Sequence, residues 1–556
     1  MHIKETAMKV KAPDLIVEAL SDLGVDHLFH LPGTSVASIY GSLARQKKIK
    51  SFLFKHEQGA CFAAAGYALV TNRPGVCMVM CGPGVTNLIS AVAEAYYQSI
   101  PIVIITVDNP KGNLGIEAFH EVDSFSMLAP VTKKIFHPER IEDLQRVIAE
   151  AVSCAATGRP GPVYLNIPVN LMGQAARKKN VTLKQQPSKP SLPSVRKFLK
   201  LITASQTPVI FAGSGVIRSG AEKELSEFVK LTGIPVFTSI GGRGAIPEDR
   251  PLVIGAPSYI FDVSFLNAAD LFIVLGTRLN PVNLRMGKLK LPEQLIQVDS
   301  DAENPKFRRA DIFIQSDIKI FLTALNNEIR TAGSYPRRTG SRLFNIYKKT
   351  YSEFTEAAYR AIRNSTVPLT SKKFLLELSA FFKKQAATLF TDSIWIPYAH
   401  LLPRARNPRS FYSMRSFGCL GFALPAALGA CLADRNKKVI SLSGDGAFLF
   451  NCQELSTAAT YKLKNFTQII LNNTGFASLA NIAGSMFPGQ DSYYVWNSID
   501  YQRFAESFGI KTITITTPAQ IAGALTRAFS GNGPYVIQVI TDDREKVQKP
   551  FWIEKE

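Results

Sequence analysis

The sequence predicts an α/β protein of three doubly wound parallel-sheet domains. Short apolar runs alternate along the whole chain with longer stretches of helical periodicity, which is the pattern of parallel β-α-β units. Two polar segments interrupt this pattern, the Lys/Pro/Ser-rich residues 176–194 and "TAGSYPRRTGSR" at 331–342. They divide the 556 residues into three parts of ordinary domain size. We therefore predict domains at 8–175, 195–332 and 345–547.

The first part contains two strongly apolar runs that read as buried strands. They are "VCMVM" at 76–80 and "PIVIITV" at 101–107. Between them, "CGPGVTNLISAVAEAYYQS" predicts a tight turn followed by a helix, because the glycines and proline precede a long run of helical periodicity. The segment is therefore predicted as one β-α-β unit.

The other two parts repeat the same organisation. Strands that enter glycine-rich or acidic turns are predicted at 208–216, 271–279 and 295–301 in the middle part, and at 438–448 and 467–473 in the last part. The first and last parts look like variants of one architecture, although no exact repeat is visible.

Composition places the chain among globular proteins of the cell interior. Hydrophobic residues make up 46% and charged residues 19% of the sequence. No window approaches the roughly 18 to 20 apolar residues of a membrane span, and the basic N-terminus lacks the apolar core of a secretory signal. The seven cysteines are scattered without a CxxC pair, which favours neither a disulfide framework nor a zinc site. We expect a cytoplasmic enzyme.

The formal net charge of +20 raises the question of a nucleic-acid partner. The lysines and arginines are spread along the chain, and the densest cluster, at 176–194, has no interleaved aromatic residues. This distribution is typical of a solvated linker, so we predict neither a nucleic-acid nor a membrane partner. A basic protein also attracts anionic small molecules such as phosphates and carboxylates.

The segment "VISLSGDGAFLFNCQELSTAATYKLKNFTQIILNN" is the most informative part of the sequence. One strand ends in the turn Gly444-Asp445-Gly446, and a second ends at Asn472, 472 − 445 = 27 residues after the aspartate. Neighbouring parallel strands end at the same edge of a sheet, so Asp445 and Asn472 can converge there. Their oxygens suit Mg²⁺, and the two glycines let the backbone approach a diphosphate. A helix-capping Asp in an ordinary turn is the alternative for the GDG triplet taken alone.

This arrangement resembles the thiamine-diphosphate motif of the acetolactate synthase-like superfamily. "KHEQGACFAAAGYA" is similar to its glutamate segment, which implies that Glu57 hydrogen-bonds the aminopyrimidine ring and is catalytic. "GCLGFALPAALGA" is similar to the segment with an apolar residue between the cofactor rings, here Leu420. The three domains then become pyrimidine-binding, central and diphosphate-binding. An ordinary helix-cap glutamate is the alternative reading of Glu57.

The resemblance implies the rest of the cofactor site. Thr474 would join Asp445 and Asn472 as a metal ligand through its backbone oxygen. Further cofactor contacts are implied at Pro32, Gly33, Pro83, Asn87, Ser393, Gly418, Gly444, Gly446, Ala447 and Gly475. In this superfamily the cofactor lies between domains of two subunits, which implies a homodimer or homotetramer. FAD is left open, because Arg278 matches a flavin-contacting position while the flanking motifs are altered.

The reaction follows less directly from the sequence. The resemblance implies decarboxylation of a 2-oxo acid, probably pyruvate, and transfer of the acyl unit to a carbonyl acceptor. His120 of "IEAFHEVD" stands where acetolactate synthases have glutamine, and is predicted as a proton shuttle or substrate anchor. A structural loop histidine is the alternative. Met80 replaces the histidine of phenylglyoxylate decarboxylases. A simple decarboxylase, a hydroxyacyl lyase and a non-catalytic homologue remain the rival readings.

Overall fold

The computed structural model describes most of the chain in two compact units. The described residues are 9–113, 115–182, 189–256, 264–280, 289–302, 310–333, 368–392, 404–414, 416–487, 489–542 and 545, with single positions in 345–360. The first unit draws its residues from 1–186, 416–436 and 450–463, and the second from 187–415, 437–449 and 464–556. The predicted domain boundaries remain a prediction. The predicted fold class is confirmed, because the described residues form three six-stranded sheets whose strands are all parallel.

One six-stranded sheet lies in the first unit. In spatial order its strands are Lys50–Leu53, His27–His30, Gly75–Met78, Ile102–Asp108, Pro162–Pro168 and Ile135–Phe136. The helices of residues 9–182 are Ala12–Asp22, Ala37–Gln46, Glu57–Thr71, Pro83–Gln98, Ser124–Leu128 and Leu144–Ala156. A two-stranded antiparallel sheet joins Lys9–Lys11 to Ala175–Arg177. The predicted unit of strand, turn and helix between 76 and 107 is thus confirmed.

The first unit also contains two helices from the last third of the chain, Ala423–Ala433 and Leu455–Thr460. Ala423–Ala433 packs tightly on Glu57–Thr71. A Cβ atom on Gly66 would overlap the carbonyl oxygen of Ala426, and one on Gly429 would overlap that of Ala63. The dense small residues after Glu57 therefore allow two backbones to touch.

The second unit contains the other two sheets. The central sheet has the order Val253–Gly255, Val236–Thr238, Pro208–Ala212, Leu271–Leu275, Gln294–Asp299 and Ile312–Gln315. The third sheet has the order Phe411–Ser413, Thr388–Thr391, Val439–Gly444, Phe466–Asn472, Tyr535–Ile540 and Lys511–Ile515. The predicted strands of both parts are confirmed.

Helices cover these sheets in the second unit. They are Leu192–Ala204, Ser214–Ser219, Glu222–Thr232, Ile318–Thr331, Ser371–Phe382, Asp445–Phe448, Ala477–Met486, Tyr501–Glu506 and Ile521–Ser530. Their apolar faces bury residues such as Phe321 and Leu525 against the strands. Across the described ranges, none of the helices combines the length and the apolar character that a membrane crossing requires.

Candidate functional site

In the second unit, Asp445 lies at the carboxyl edge of the third sheet. Strands Val439–Gly444 and Phe466–Asn472 are parallel neighbours, with Gly444 opposite Leu471. Asp445 and Asn472 are the next residues after this pair, so they lie side by side at the sheet edge, as their spacing predicts. The loop after Asn472 also contacts Asp445, because the backbone N–H of Gly475 donates to Asp445 Oδ2 at 3.1 Å.

The Asp445 carboxyl group is fully buried, with 0% of its surface exposed. Its Oδ1 accepts a hydrogen bond from the backbone N–H of Gly446 at 3.1 Å. Burial nevertheless raises the pKa of Asp445 to about 7, because these backbone bonds offset only part of the lost hydration. A cation beside the carboxyl group would relieve this cost, so the site suits a bound metal ion.

Asn473 supplies the polar side chain next to Asp445. One end of its amide lies 3.1 Å from the Gly475 carbonyl oxygen and 3.2 Å from Asp445 Oδ1. With its nitrogen there, the amide donates to both atoms. With its oxygen there, three oxygens face each other, which is the arrangement that a hard cation such as Mg²⁺ brings together.

The oxygens of the predicted metal ligands Asn472 and Thr474 each accept a hydrogen bond from the backbone. Asn472 Oδ1 accepts a hydrogen bond from the Thr474 backbone N–H at 3.2 Å. The Thr474 carbonyl oxygen accepts one from the Trp496 backbone N–H at 3.0 Å. Within the described ranges, no three His, Cys, Asp or Glu side chains are grouped so that they could hold a metal ion.

Gly446 of the GDG turn packs closely against aromatic rings. A Cβ atom on Gly446 would lie 2.5 Å from the Phe476 ring and 3.1 Å from Trp496. Gly444 is the extended residue before the short helix Asp445–Phe448, which contains the predicted contact Ala447. Ser393, another predicted contact, lies outside the described residues.

In the first unit, Glu57 begins the helix that ends at Thr71. Its side chain is 6% exposed, and Oε2 accepts a hydrogen bond from Asn87 Nδ2 at 3.0 Å. Asn87 belongs to the helix Pro83–Gln98, which starts after Gly82 in a left-handed conformation with φ of +63°. A hydrogen bond thus joins Glu57 to Asn87, and both residues are predicted cofactor contacts.

The turn at Pro32 and Gly33 follows strand His27–His30 at the same sheet edge. A Cβ atom on Gly33 would come within 2.5 Å of Met80 Cβ. Glycine at this position therefore lets the turn pack on Met80. Pro32, which is also a predicted cofactor contact, is the residue directly before Gly33.

His120 lies on the loop after strand Ile102–Asp108 in a left-handed conformation, with φ of +66°. Its backbone packs on Gly82, where a Cβ atom would come 2.5 Å from the His120 carbonyl oxygen. Its ring lies beside Phe119, which is 83% exposed, at a centroid distance of 3.7 Å. The half-buried imidazole is therefore placed at the sheet edge that also carries Glu57.

Glu94 is a residue that the sequence reasoning missed. Its carboxyl group is 1% exposed, and Oε2 accepts hydrogen bonds from the backbone N–H groups of Gly418 at 2.8 Å and Cys419 at 2.9 Å. Burial raises the pKa of Glu94 despite these bonds. The carboxyl group thereby fixes the backbone immediately before Leu420, the predicted contact with the cofactor rings.

Two backbone N–H groups in the glycine-rich turn of the central sheet are bonded within the protein. At the glycine-rich turn after Pro208–Ala212, the N–H of Gly213 donates to Leu275 O at 2.8 Å and that of Gly215 to Gly276 O at 3.0 Å. A dinucleotide phosphate would need such N–H groups. Arg278 lies nearby, but residues 281–288 after it are outside the described ranges. Binding of FAD therefore stays open.

Comparison with known proteins gives matches in all three parts of the chain. Models of the thiamine pyrophosphate enzyme family match with the N-terminal TPP binding domain over residues 10–127, the central domain over 195–325 and the C-terminal TPP binding domain over 396–539.

Similar proteins cover nearly the whole length. Acetolactate synthase 1, chloroplastic, from Oryza sativa is 31% identical over 97% of this chain and 85% of its own length. The probable acetolactate synthase large subunit of Methanocaldococcus jannaschii is 31% identical over 96% and 93%, respectively. The acetolactate synthase isozyme 1 large subunit of Escherichia coli is 32% identical over 98% and 96%. The chain therefore belongs to the thiamine pyrophosphate enzyme family and is an acetolactate synthase-like enzyme that depends on thiamine diphosphate.

Proposed function

We propose that the protein is a thiamine-diphosphate- and Mg²⁺-dependent carboligase that decarboxylates pyruvate and transfers the acyl unit to a carbonyl acceptor. The observation that carries the proposal is the pair of buried carboxyl groups, Glu57 and Asp445, each at the carboxyl edge of a parallel sheet. The names of the three relatives described above, all acetolactate synthases, support ligation as the outcome. We also propose a homodimer or homotetramer, as the family resemblance implies.

For the metal ion we propose Asp445, the Asn473 side-chain oxygen and the Gly475 carbonyl oxygen as protein ligands. This set revises the predicted Asn472 and Thr474. Its support is the 3.2 Å approach of the Asn473 amide to Asp445 and the 3.1 Å approach to Gly475. All three atoms are hard oxygens, as Mg²⁺ prefers, and the remaining positions would be open to diphosphate oxygens and water.

The protein's own residues would bind and orient the cofactor and move protons. When bound, thiamine diphosphate supplies a carbon nucleophile for the 2-oxo acid carbonyl and an electron sink for decarboxylation. Glu57 would hydrogen-bond the aminopyrimidine and hold or release a proton at its carboxyl group, which Asn87 keeps in place. Leu420 would offer an apolar support to the rings, on a backbone that Glu94 holds.

Product analysis tests the reaction class. With pyruvate, Mg²⁺ and thiamine diphosphate, we expect CO₂ and a ligated hydroxyketone product, formed faster when a second ketone or aldehyde is added. If free aldehyde is the only product with every acceptor, the protein is a simple decarboxylase. Cleavage of a 2-hydroxyacyl substrate without ligation would favour a lyase. The Glu57→Gln variant is the background control, and Glu57-dependent CO₂ release excludes a non-catalytic homologue.

His120 is expected to influence the products rather than cofactor binding. An imidazole can exchange a proton near neutral pH, whereas the amide of a His120→Gln variant can only hydrogen-bond. If His120 protonates an intermediate or anchors the acceptor, the variant changes the product ratio or acceptor range and slows turnover by on the order of a hundredfold. Chromatographic product ratios and calorimetric cofactor affinity, measured beside the parent enzyme, check this.

His137→Gln is the matched control for His120. Its ring Nδ1 lies 3.1 Å from the Asn166 carbonyl oxygen, so the amide can preserve a structural hydrogen bond. We expect unchanged product ratios in this variant. If His120→Gln and His137→Gln give the same product ratios, His120 has only a structural role in its loop.

A further inference from the structure

A second buried carboxyl group contacts the residues that precede Glu57. Glu454 lies in the 450–463 segment of the first unit and is 0% exposed. Its Oε1 accepts hydrogen bonds from the backbone N–H groups of Lys55 at 2.9 Å and His56 at 3.1 Å. Its Oε2 accepts one from the Thr457 hydroxyl at 2.7 Å. Both carboxyl oxygens are thus engaged, and two of the three bonds reach the chain directly before Glu57.

These two backbone bonds control how the Glu57 helix begins. His56 is the residue before the first helical turn, and its own side chain accepts a hydrogen bond from Gln58 N at 3.1 Å. Holding the peptide groups of Lys55 and His56 fixes the direction in which the chain enters the helix. The direction of the Glu57 side chain follows, because Glu57 is the first helical residue.

Two further contacts show that the segment containing Glu454 packs closely around the start of the Glu57 helix. A Cβ atom on Gly59 would lie 2.5 Å from Glu454 Oε1, so glycine at this position leaves room for the carboxyl group. Asn451 Nδ2 donates to Gln58 Oε1 at 2.9 Å and to the Gly421 carbonyl oxygen at 2.8 Å. The same short segment therefore holds the chain on both sides of Glu57 and the backbone directly after Leu420.

We propose that Glu454 is a positioning residue for Glu57, which sets the direction of the catalytic carboxyl group through the Lys55 and His56 peptides. The proposal rests on the proposed role of Glu57 in thiamine chemistry. A buried carboxyl group is costly unless it is hydrogen-bonded, and two of the bonds of Glu454 go to the residues directly before Glu57. Its Oε1 accepts both backbone N–H groups, at 2.9 Å and 3.1 Å, and thus holds together the two peptide groups before Glu57.

The test compares cofactor binding with proton exchange at the thiazolium C2 in the full-length protein. For Glu454→Ala at saturating thiamine diphosphate and Mg²⁺, we expect C2 exchange and turnover to fall by about tenfold to a hundredfold, as for a small misplacement of a catalytic group. We expect the cofactor dissociation constant to change by no more than a few-fold. Glu454→Gln should recover most of the exchange, because its amide oxygen can accept the same two N–H bonds.

Thr457→Val is the matched control, since it removes the bond to Oε2 and leaves both bonds to the Glu57 segment. It should exchange at nearly the parent rate. The proposal is overturned if Glu454→Ala exchanges normally or if Thr457→Val is equally slow. If Glu454→Ala does not fold, Glu454→Asp replaces it, because the shorter side chain withdraws from Lys55 and His56. A parent enzyme without C2 exchange would contradict the proposed function instead.

Discussion

Asp445→Ala is expected to abolish the Mg²⁺-dependent binding of thiamine diphosphate. The fully buried carboxyl group is the only acidic side chain in the proposed ligand set, and the diphosphate would be held largely through the cation. Loss of a residue that only supports a metal ligand typically costs on the order of 10- to 100-fold in affinity, so loss of this ligand should cost more than about a hundredfold. Calorimetric titration of the cofactor with and without Mg²⁺ measures the effect.

Stability of the cofactor-free protein separates a lost ligand from a lost fold. Burial raises the pKa of Asp445 to about 7, above its ordinary value of 3.8. The folded parent thus binds more protons than the unfolded chain between these values, and loses stability as the pH rises through them. Asp445→Ala removes this penalty, so its melting temperature without cofactor should equal or exceed that of the parent at pH 8. A large drop in the melting temperature of Asp445→Ala would mean that its weak cofactor binding results from misfolding.

Variants of the two neighbouring asparagines distinguish the proposed set of metal ligands from the set predicted from the sequence. Asn473→Ala should weaken Mg²⁺-dependent cofactor binding strongly, because its amide lies 3.2 Å from Asp445 Oδ1. Asn472→Ala should weaken it much less, because Asn472 Oδ1 is bonded to the Thr474 backbone. The opposite ranking would restore the set predicted from the sequence. Equal affinity of Asp445→Ala and the parent would remove the metal proposal altogether.

The sequence predicts the sheet edge at which Asp445 and the two asparagines lie, but not which asparagine faces Asp445. The GDG turn and the Asn-Asn pair each follow an apolar strand, and parallel neighbours must end at one edge, so convergence follows from strand order. Which asparagine faces Asp445 depends on the turn after the strand. Thr474 there adopts a left-handed conformation, with φ of +60°, and this conformation has no clear mark in the sequence.

The supporting carboxyl groups were missed for a different reason. Glu94 holds a backbone segment 324 and 325 residues away, and Glu454 holds one 398 and 399 residues away. Periodicity reports only local structure, so it cannot indicate such contacts. An indication was nevertheless present, because Glu94 interrupts the apolar face of the helix Pro83–Gln98. A charged residue at a buried position implies a polar partner somewhere in the fold.

The same limit applies to packing between helices. The density of Ala and Gly after Glu57 predicts a close approach but does not name the partner. The structure shows that it is Ala423–Ala433, a helix from the predicted third domain that packs within the first unit. The linkers at 176–194 and 331–342 divide the sequence, whereas packing also depends on contacts between segments hundreds of residues apart.

Glu57→Gln is expected to bind thiamine diphosphate nearly as well as the parent but to lose proton exchange at the thiazolium C2. The amide has almost the same shape and can still accept the hydrogen bond from Asn87 Nδ2, which spans 3.0 Å in the parent. It cannot exchange a proton as a carboxyl group does. General acid–base catalysis by one positioned side chain contributes about 10²- to 10⁴-fold, so C2 exchange and CO₂ release should fall by at least about a hundredfold.

Asn87→Ala tests whether orientation or proton transfer matters more at this position. It leaves the Glu57 carboxyl group in place but removes the side chain that holds Oε2. We expect a partial loss of exchange, smaller than that of Glu57→Gln, because a carboxyl group that is less well oriented can still exchange its proton. Hydrogen–deuterium exchange at C2, followed by NMR after acid quenching, measures both variants at saturating cofactor. Normal exchange in Glu57→Gln would mean that another group moves this proton, and the acid–base role of Glu57 would then be wrong even if the cofactor binds as proposed.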